Sequence, residues 1–166
     1  MKGYSGYVNL PANPAEGRKF DVHTYFWFFQ ARQNPANAPL SIWLQGGPGV
    51  PSITAALGEN GPCSVLEDSK STALNPWSWN DKVNMLYIDQ PVQVSFSYNT
   101  LVNGTLDEIP TPFAYKPQNF TATGIPQTNL TFLTGTFAAQ FIEGAPNTTM
   151  AAAPAMYDFV QTWIQE

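Results

Sequence analysis

Two short stretches of this sequence carry residues able to do chemistry. The first is Gln45-Gly46-Gly47-Pro48-Gly49, which follows the apolar run Ser41-Ile42-Trp43-Leu44. Glycines at the end of a strand let the backbone take positive φ and let a ligand approach with no Cβ in the way. Their N–H groups can converge on a developing oxyanion, a stabilisation of about 3 kcal/mol in a site closed to water. On spacing alone an ordinary glycine turn is the simpler reading, and no Gly-Lys-Ser/Thr follows to make a phosphate loop. The second stretch is Val83 to Ile88, an apolar run that delivers Asp89 at its end. A carboxylate there needs local donors and reads first as a loop anchor. The one histidine, His23, lies in an aromatic run ahead of every candidate nucleophile and reads as structural. There is no Gly-x-Ser-x-Gly elbow. Without a second histidine, no Ser-His-acid triad can be assembled within this sequence. One His, one Cys and scattered carboxylates give no ligand cluster, so neither metal nor cofactor is expected.

The elements that must hold these residues follow from pattern. Tyr4 to Leu10 reads as a strand ended by Pro11-Ala12-Asn13-Pro14. Asp21 to Arg32, with Tyr25-Phe26-Trp27-Phe28-Phe29, reads as a long strand partly buried on both faces. Leu40 to Leu44 is a short strand running into the glycines, Ile53 to Leu57 a helical turn, and Val83 to Ile88 a buried strand. Residues 99–148 are rich in Thr, Pro, Asn and Gly, with Phe132 to Ile142 as a short element of either type. Met156, Phe159, Val160 and Trp163 form an apolar helical stripe, and Pro154 fits the first turn of that helix.

Composition excludes several classes. Apolar residues are 43% and aromatic ones 14% of 166, enough for a packed core. A net charge of −5, with Arg18-Lys19 as the one basic stretch, argues against nucleic acid. No apolar run reaches the roughly 20 residues that span a bilayer. The opening residues lack a signal peptide's apolar stretch, so the expectation is a start that lies outside this sequence. Asn103, Asn119, Asn129 and Asn147 each begin an N-x-[ST] acceptor, which favours a secreted glycoprotein. Cys63 has no partner in the sequence. It reads as a small buried thiol, or as half of a disulfide completed elsewhere.

Several ordered blocks together carry a resemblance. Pro39-Leu40-Ser41-Ile42-Trp43-Leu44-Gln45-Gly46-Gly47-Pro48-Gly49 resembles the glycine-loop segment of serine carboxypeptidases. Glu59-Asn60-Gly61-Pro62, Asn75-Pro76-Trp77-Ser78-Trp79-Asn80, and Asp89-Gln90-Pro91-Val92 with Phe96-Ser97-Tyr98 resemble further blocks of that family in the same order. The opening Gly3-Tyr4-Ser5-Gly6-Tyr7 fits as well, and the fungal branch is nearest. The resemblance is strong over residues 3–98, weak over 99–149, and resumes in the final helix. It implies that Gly47 donates an oxyanion-hole N–H, and that Gln45, Gly46 and Glu59 hold the C-terminal carboxylate of a peptide, with Trp43 lining the pocket. Glu59 joins a second carboxylate only by sharing a proton, which implies tighter binding at acidic pH.

Three departures mark this sequence. Gln45 stands where the family usually has asparagine, Val50-Pro51 replaces a cysteine-serine pair, and Gln93 and Ser95 replace glycines. The expected fold class is α/β, a partial α/β-hydrolase made of the strands before the nucleophile elbow. Residues 1–98 form the sheet segment, 99–149 a loop-rich excursion with the sequons, and 150–166 the start of the helix before the nucleophile strand. The implied parent activity is serine-type removal of C-terminal amino acids in a secretory or vacuolar compartment, with this chain inactive alone. The alternative is a non-catalytic peptide-binding module, or one chain of a nicked two-chain hydrolase.

Overall fold

β-branched and aromatic residues dominate Val22–Phe29, and they make a strand. In the computed structural model, which describes residues 2–111 and 113–165, β1 (Gly3–Leu10) and β2 (Val22–Phe29) form an antiparallel pair. β3 (Leu40–Trp43) leads through the glycine loop to helix α1 (Ser52–Gly58). A small hairpin, β4 (Cys63–Val65) and β5 (Thr72–Leu74), precedes β6 (Asn84–Ile88). The sheet order is β1-β2-β6-β3, with β6 antiparallel to β2 and parallel to β3.

β6 is the spine of the core. Its side chains alternate between faces, as any strand's must. Leu86 and Ile88 join Val8, Leu10, Val22, Val92 and Phe159 on one face. Met85 and Tyr87 join Phe29, Ala55 and Ala56 on the other, against α1. All four of these β6 residues are essentially inaccessible, which is why the run is apolar throughout. β3, by contrast, is the last strand of its sheet, and Leu40 and Ile42 are exposed.

The long strand expected over Asp21 to Arg32 ends at Phe29. Beyond it the backbone N–H groups leave the sheet for loop acceptors. Ala31 donates to Asn84 Oδ1 at 2.8 Å and Arg32 to the Asn80 carbonyl at 2.8 Å. The excursion is more ordered than its composition suggests. β7 (Leu101–Asp107), β8 (Ala114–Pro117) and β9 (Phe132–Ala138) form an antiparallel sheet in the order β8-β7-β9, with a one-turn helix α2 (Phe120–Thr123) between β8 and β9. Its strands are mostly half-exposed, so they lack the hydrophobic alternation that betrays a strand. At Gly104 a Cβ would stand 2.5 Å from the Lys116 carbonyl oxygen, so a side chain there would block the approach of β8.

The last helix, α3 (Thr149–Gln165), begins five residues before the proline expected to open it, and Pro154 lies inside it. The Thr148 hydroxyl accepts from the Ala151 N–H at 3.1 Å, an N-cap, and the run Ala151-Ala152-Ala153 has the strongest intrinsic helix preference. Pro154 removes one hydrogen bond near the start of the helix, which the cap and the alanines offset. Phe159 is fully buried against the sheet, and Arg18 reaches across from the β1–β2 connection to Asp158 at 2.9 Å.

Candidate active site

Because β3 and β6 are parallel, their C-terminal ends lie side by side, and the Gln45 loop and Asp89 leave the sheet together. Ligands of α/β sheets bind at this end of the strands. Ser52, the first residue of α1 and fully buried, ties the two ends to each other. Its hydroxyl accepts from the Gln45 backbone N–H at 3.0 Å and donates to the Ile88 carbonyl at 2.6 Å. One residue on, the Ile53 N–H donates to Asp89 Oδ1 at 3.1 Å. Asp89 therefore anchors the start of α1, the role its position suggested. Burial pushes its carboxyl above the ordinary carboxylate range, against the opposing pull of the Ile53 N–H.

The loop between these anchors is open. Gly49 has φ +104°, a conformation that favours glycine. At Gly46 and Gly47 an added Cβ would meet nothing closer than 3.8 Å and 4.0 Å. Among the described residues, the N–H groups of both glycines donate to no protein acceptor. Gln45, Trp43 and Glu59 are drawn together beside them. The Trp43 indole N–H donates to Gln45 Oε1 at 2.8 Å, which fixes the amide so that Nε2 faces Glu59 Oε1 at 3.0 Å. A primary amide has two N–H donors, so Gln45 keeps one for a ligand. Trp43 is half-buried and packs edge-on against Trp79, ring centroids 5.1 Å apart.

Glu59 owes its position to a brace of polar residues, of which Asn60 and Asn75 had been read only as parts of family blocks. The buried Tyr87 hydroxyl donates to Asn60 Oδ1 at 2.9 Å, and burial raises that phenol well above its ordinary value. Arg32 Nη2 donates to the carbonyls of Pro62 and Asn75, at 2.8 Å and 3.0 Å. Asn75 Nδ2 donates to the Gly61 carbonyl at 2.9 Å, and the Trp79 N–H to the Asn60 carbonyl at 3.1 Å. A Cβ at Gly61 would sit 1.8 Å from the Ala56 carbonyl oxygen, so only glycine lets this loop pass α1. Ser52, Arg32 and Asn60 were not singled out from sequence. Ser52 and Asn60 are marked only by polarity beside apolar or glycine residues, and Arg32, between Gln30 and Gln33, by nothing local.

Gln93 and Ser95 keep a glycine-like backbone, with φ +74° and +52°. Gln93 Nε2 donates to the Phe141 carbonyl at 3.2 Å, while Ser95 is exposed. His23 is held by Asn9 Oδ1 at 2.6 Å and stacks on Tyr98, a structural setting. Cys63 is half-buried in β4, and it is the sole cysteine of the sequence. The sequon asparagines Asn103, Asn119, Asn129 and Asn147 are all exposed. Asn103 accepts from Thr136 at 2.8 Å, Asn119 caps α2, and Asn129 accepts from the Thr131 N–H at 2.8 Å. Among the described residues no group of three or more His, Cys, Asp or Glu is placed to hold a metal ion.

Comparison with known sequences decides the family. The family model described as serine carboxypeptidase matches residues 1–166. This chain belongs to the serine carboxypeptidase family. It is 47% identical to carboxypeptidase S1 homolog B of Arthroderma otae and 45% identical to carboxypeptidase S1 homolog A of Trichophyton rubrum, in each case over its whole length. It is 41% identical to a carboxypeptidase Y homolog of Arthroderma benhamiae. In all three cases it spans 26%, about a quarter, of the relative's length. A solved structure of Kex1Δp, a prohormone-processing carboxypeptidase from Saccharomyces cerevisiae, aligns with 54% of this chain and 19% of its own, at 38% identity and a TM-score of 0.45. As a member of this family the chain holds part of an α/β-hydrolase fold, the β1-β2-β6-β3 sheet with α1 on one face and α3 on the other.

Proposed function

We propose that this chain supplies the substrate-carboxylate site and one oxyanion donor of a secreted or vacuolar serine carboxypeptidase. The observation that carries the reading is the Trp43–Gln45–Glu59 chain of hydrogen bonds beside the free N–H groups of Gly46 and Gly47. The C-terminal carboxylate of a peptide accepts from the second Gln45 Nε2 hydrogen and from the Gly46 N–H. Glu59 joins by sharing a proton, so binding tightens toward acidic pH. The Gly47 N–H then faces the oxyanion that forms when a nucleophile attacks the scissile carbonyl. Trp43 fixes the Gln45 amide, and its ring lines the pocket.

The nucleophile and its base are not in this sequence, since there is no Gly-x-Ser-x-Gly and the sole histidine is spent on Asn9 and Tyr98. The chain by itself therefore binds peptide C-termini without cutting them. Catalysis requires polypeptide bearing the serine elbow and histidine, in one longer protein or as a second chain, paired along the open β3 edge where Leu40 and Ile42 are exposed. The four sequons support a glycoprotein of the secretory pathway.

The test is a carboxypeptidase assay on the purified, folded chain with an N-blocked dipeptide. No turnover above buffer is expected. Release of the C-terminal amino acid, lost in the Gln45→Ala variant, would place complete catalytic machinery in this chain and contradict the reading.

A further inference from the structure

The sheet has two margins, β3 beside the Gln45 loop and β1 on the opposite side, and the outer edge of β1 is open. Backbone bonds show which of its groups face out. The Gln30 N–H donates to the Lys2 carbonyl at 3.0 Å, which makes Lys2–Gln30 a hydrogen-bonded pair. Such pairs alternate along an antiparallel ladder, so the even-numbered residues of β1 bond to β2. On β2 the residues opposite Tyr7 and Asn9 turn the other way. His23 exchanges bonds with Tyr98 at 2.8 Å and 3.0 Å, and the Tyr25 carbonyl accepts from the Asp89 N–H at 3.1 Å. The N–H and C=O groups of Gly3, Ser5, Tyr7 and Asn9 therefore point out of the sheet. Among the described residues they have no protein partner.

What the edge accepts follows from its sequence and its shape. Exposed edges are commonly shielded by charge, proline or a bulge. Gly3–Leu10 has no charged residue and no proline, and it pairs with β2 without a break. Two copies of such a strand meet without like-charge repulsion, although the whole chain carries −5. On the α3 side, Tyr4, Gly6, Val8, Phe26, Phe28 and Trp163 line an open groove of about 430 Å³ that runs up to this edge. Gly6 leaves a gap at mid-strand, and the Tyr4 ring beside it is 51% exposed.

We propose that β1 pairs with β1 of a second copy of this chain, antiparallel and centred on Gly6, to form one continuous sheet across a two-fold axis. Opposed residues share a face, so even-numbered residues meet even and odd meet odd. Centring on Gly6 sets Gly3 against Asn9 and Ser5 against Tyr7, and every outward N–H and C=O of β1 is then used. Centring on Tyr7 would set Gly3 against Pro11, which has no N–H to give. Centring on Ser5 would carry Asn9 past the end of the facing strand. In the Gly6 register, Tyr4 of the second copy lies opposite Val8 and next to Gly6, where the groove is open. This surface is separate from the peptide-carboxylate site and does not depend on it.

Sedimentation equilibrium and disulfide trapping on the purified chain test the proposal. One strand pair is a small interface, so a dissociation constant on the order of 100 µM is expected. Ser5→Pro removes an outward N–H and spares the β1–β2 ladder. It should weaken the dimer at least about tenfold and leave the circular dichroism spectrum unchanged. In a Cys63→Ser background, Gly6→Cys places two thiols across the axis in a non-hydrogen-bonded pair, with Cα atoms about 4.5 Å apart and within disulfide reach. The new side chain has room, since a Cβ at Gly6 meets only the Phe26 ring, at 3.5 Å. Gly6→Cys should form the covalent dimer at least about tenfold faster than Tyr7→Cys, which faces Ser5 rather than itself. Trapping decides the matter even where Ser5→Pro fails to fold. A chain that stays monomeric at millimolar concentration overturns the proposal. So does a dimer that a folded Ser5→Pro leaves intact, as one joined through β3 would be, or equal trapping of the two cysteine variants.

Discussion

The sheet region, residues 3–98, and the excursion, residues 99–148, spend their polar side chains differently. In the sheet region they join segments far apart in the chain, such as Ser52 to Ile88, Asn60 to Tyr87 and Arg32 to Asn75. In the excursion most act within a turn: Asp107 on the Ile109 N–H, Asn119 on Thr121, Asn129 on Thr131. A long-range bond between buried groups fixes a geometry, whereas a local one shapes a loop that other sequences shape equally well. The candidate site stands on the first kind, and the family blocks lie in the same region.

Substitutions sharpen the contrast in descending order of effect. Phe159→Ala, at the fully buried contact between α3 and the sheet, should cost about 3–5 kcal/mol, read by urea unfolding. A loss below about 1 kcal/mol would mean that α3 packs loosely on the sheet. Ser52→Ala should cost roughly 2 kcal/mol, because the Gln45 N–H and Ile88 carbonyl are both left unmatched. The Gln45 amide resonance should move with it, and an unmoved resonance would show that the clamp is not what holds the loop.

The pH dependence of Asp89 comes next. Its folded pKa is raised, so ionisation is less favourable in the folded state than in the unfolded one. Its contribution to stability should fall as pH rises from the ordinary carboxylate value through the raised one, and stay level beyond. Asp89→Asn should remove that step from a plot of urea midpoint against pH. Asp68, exposed in the β4–β5 hairpin, has the opposite sign, since bonds from Ser71 and Lys70 lower its pKa. Its contribution is present at neutral pH and fades as pH falls through that lowered value.

Ser95→Gly sets the relief of a left-handed residue against loss of the Ser95 side-chain hydrogen bond to the buried Asp89, so the urea midpoint should move by no more than about 1 kcal/mol in stability. Smallest is Asn119→Ala in the excursion, about 0.5 kcal/mol from the lost cap on α2, with no change in the Gln45 resonances. A disturbance reaching Gln45 would break the contrast, since it would couple the excursion to the site.

The same contrast explains what was legible in the sequence. β6 and the aromatic β2 were readable because burial on both faces demands continuous apolar runs. The glycine loop was readable because Gly46, Gly47 and Gly49 stand directly after an apolar strand. β7 and β8 were not, and β9 was read only as an element of either type over Phe132 to Ile142, because half-exposed strands leave no period to detect. Pro154 was read into the first turn of α3 because a proline is a louder signal than the Thr148 cap and the alanines that carry the helix through it. Ser52 was invisible because nothing local marks a serine whose two partners lie in other strands.

The most direct measurement is an NMR titration of the isotopically labelled chain with an N-acetylated dipeptide, as the free acid and as the C-terminal amide. The free acid should shift the Gln45 side-chain amide and the Gly46 backbone N–H, more strongly at pH 5 than at pH 7, and Gln45→Ala should abolish the response. Equal shifts from acid and amide, or no shift at Gln45 and Gly46 with the acid, would contradict a carboxylate site at this loop.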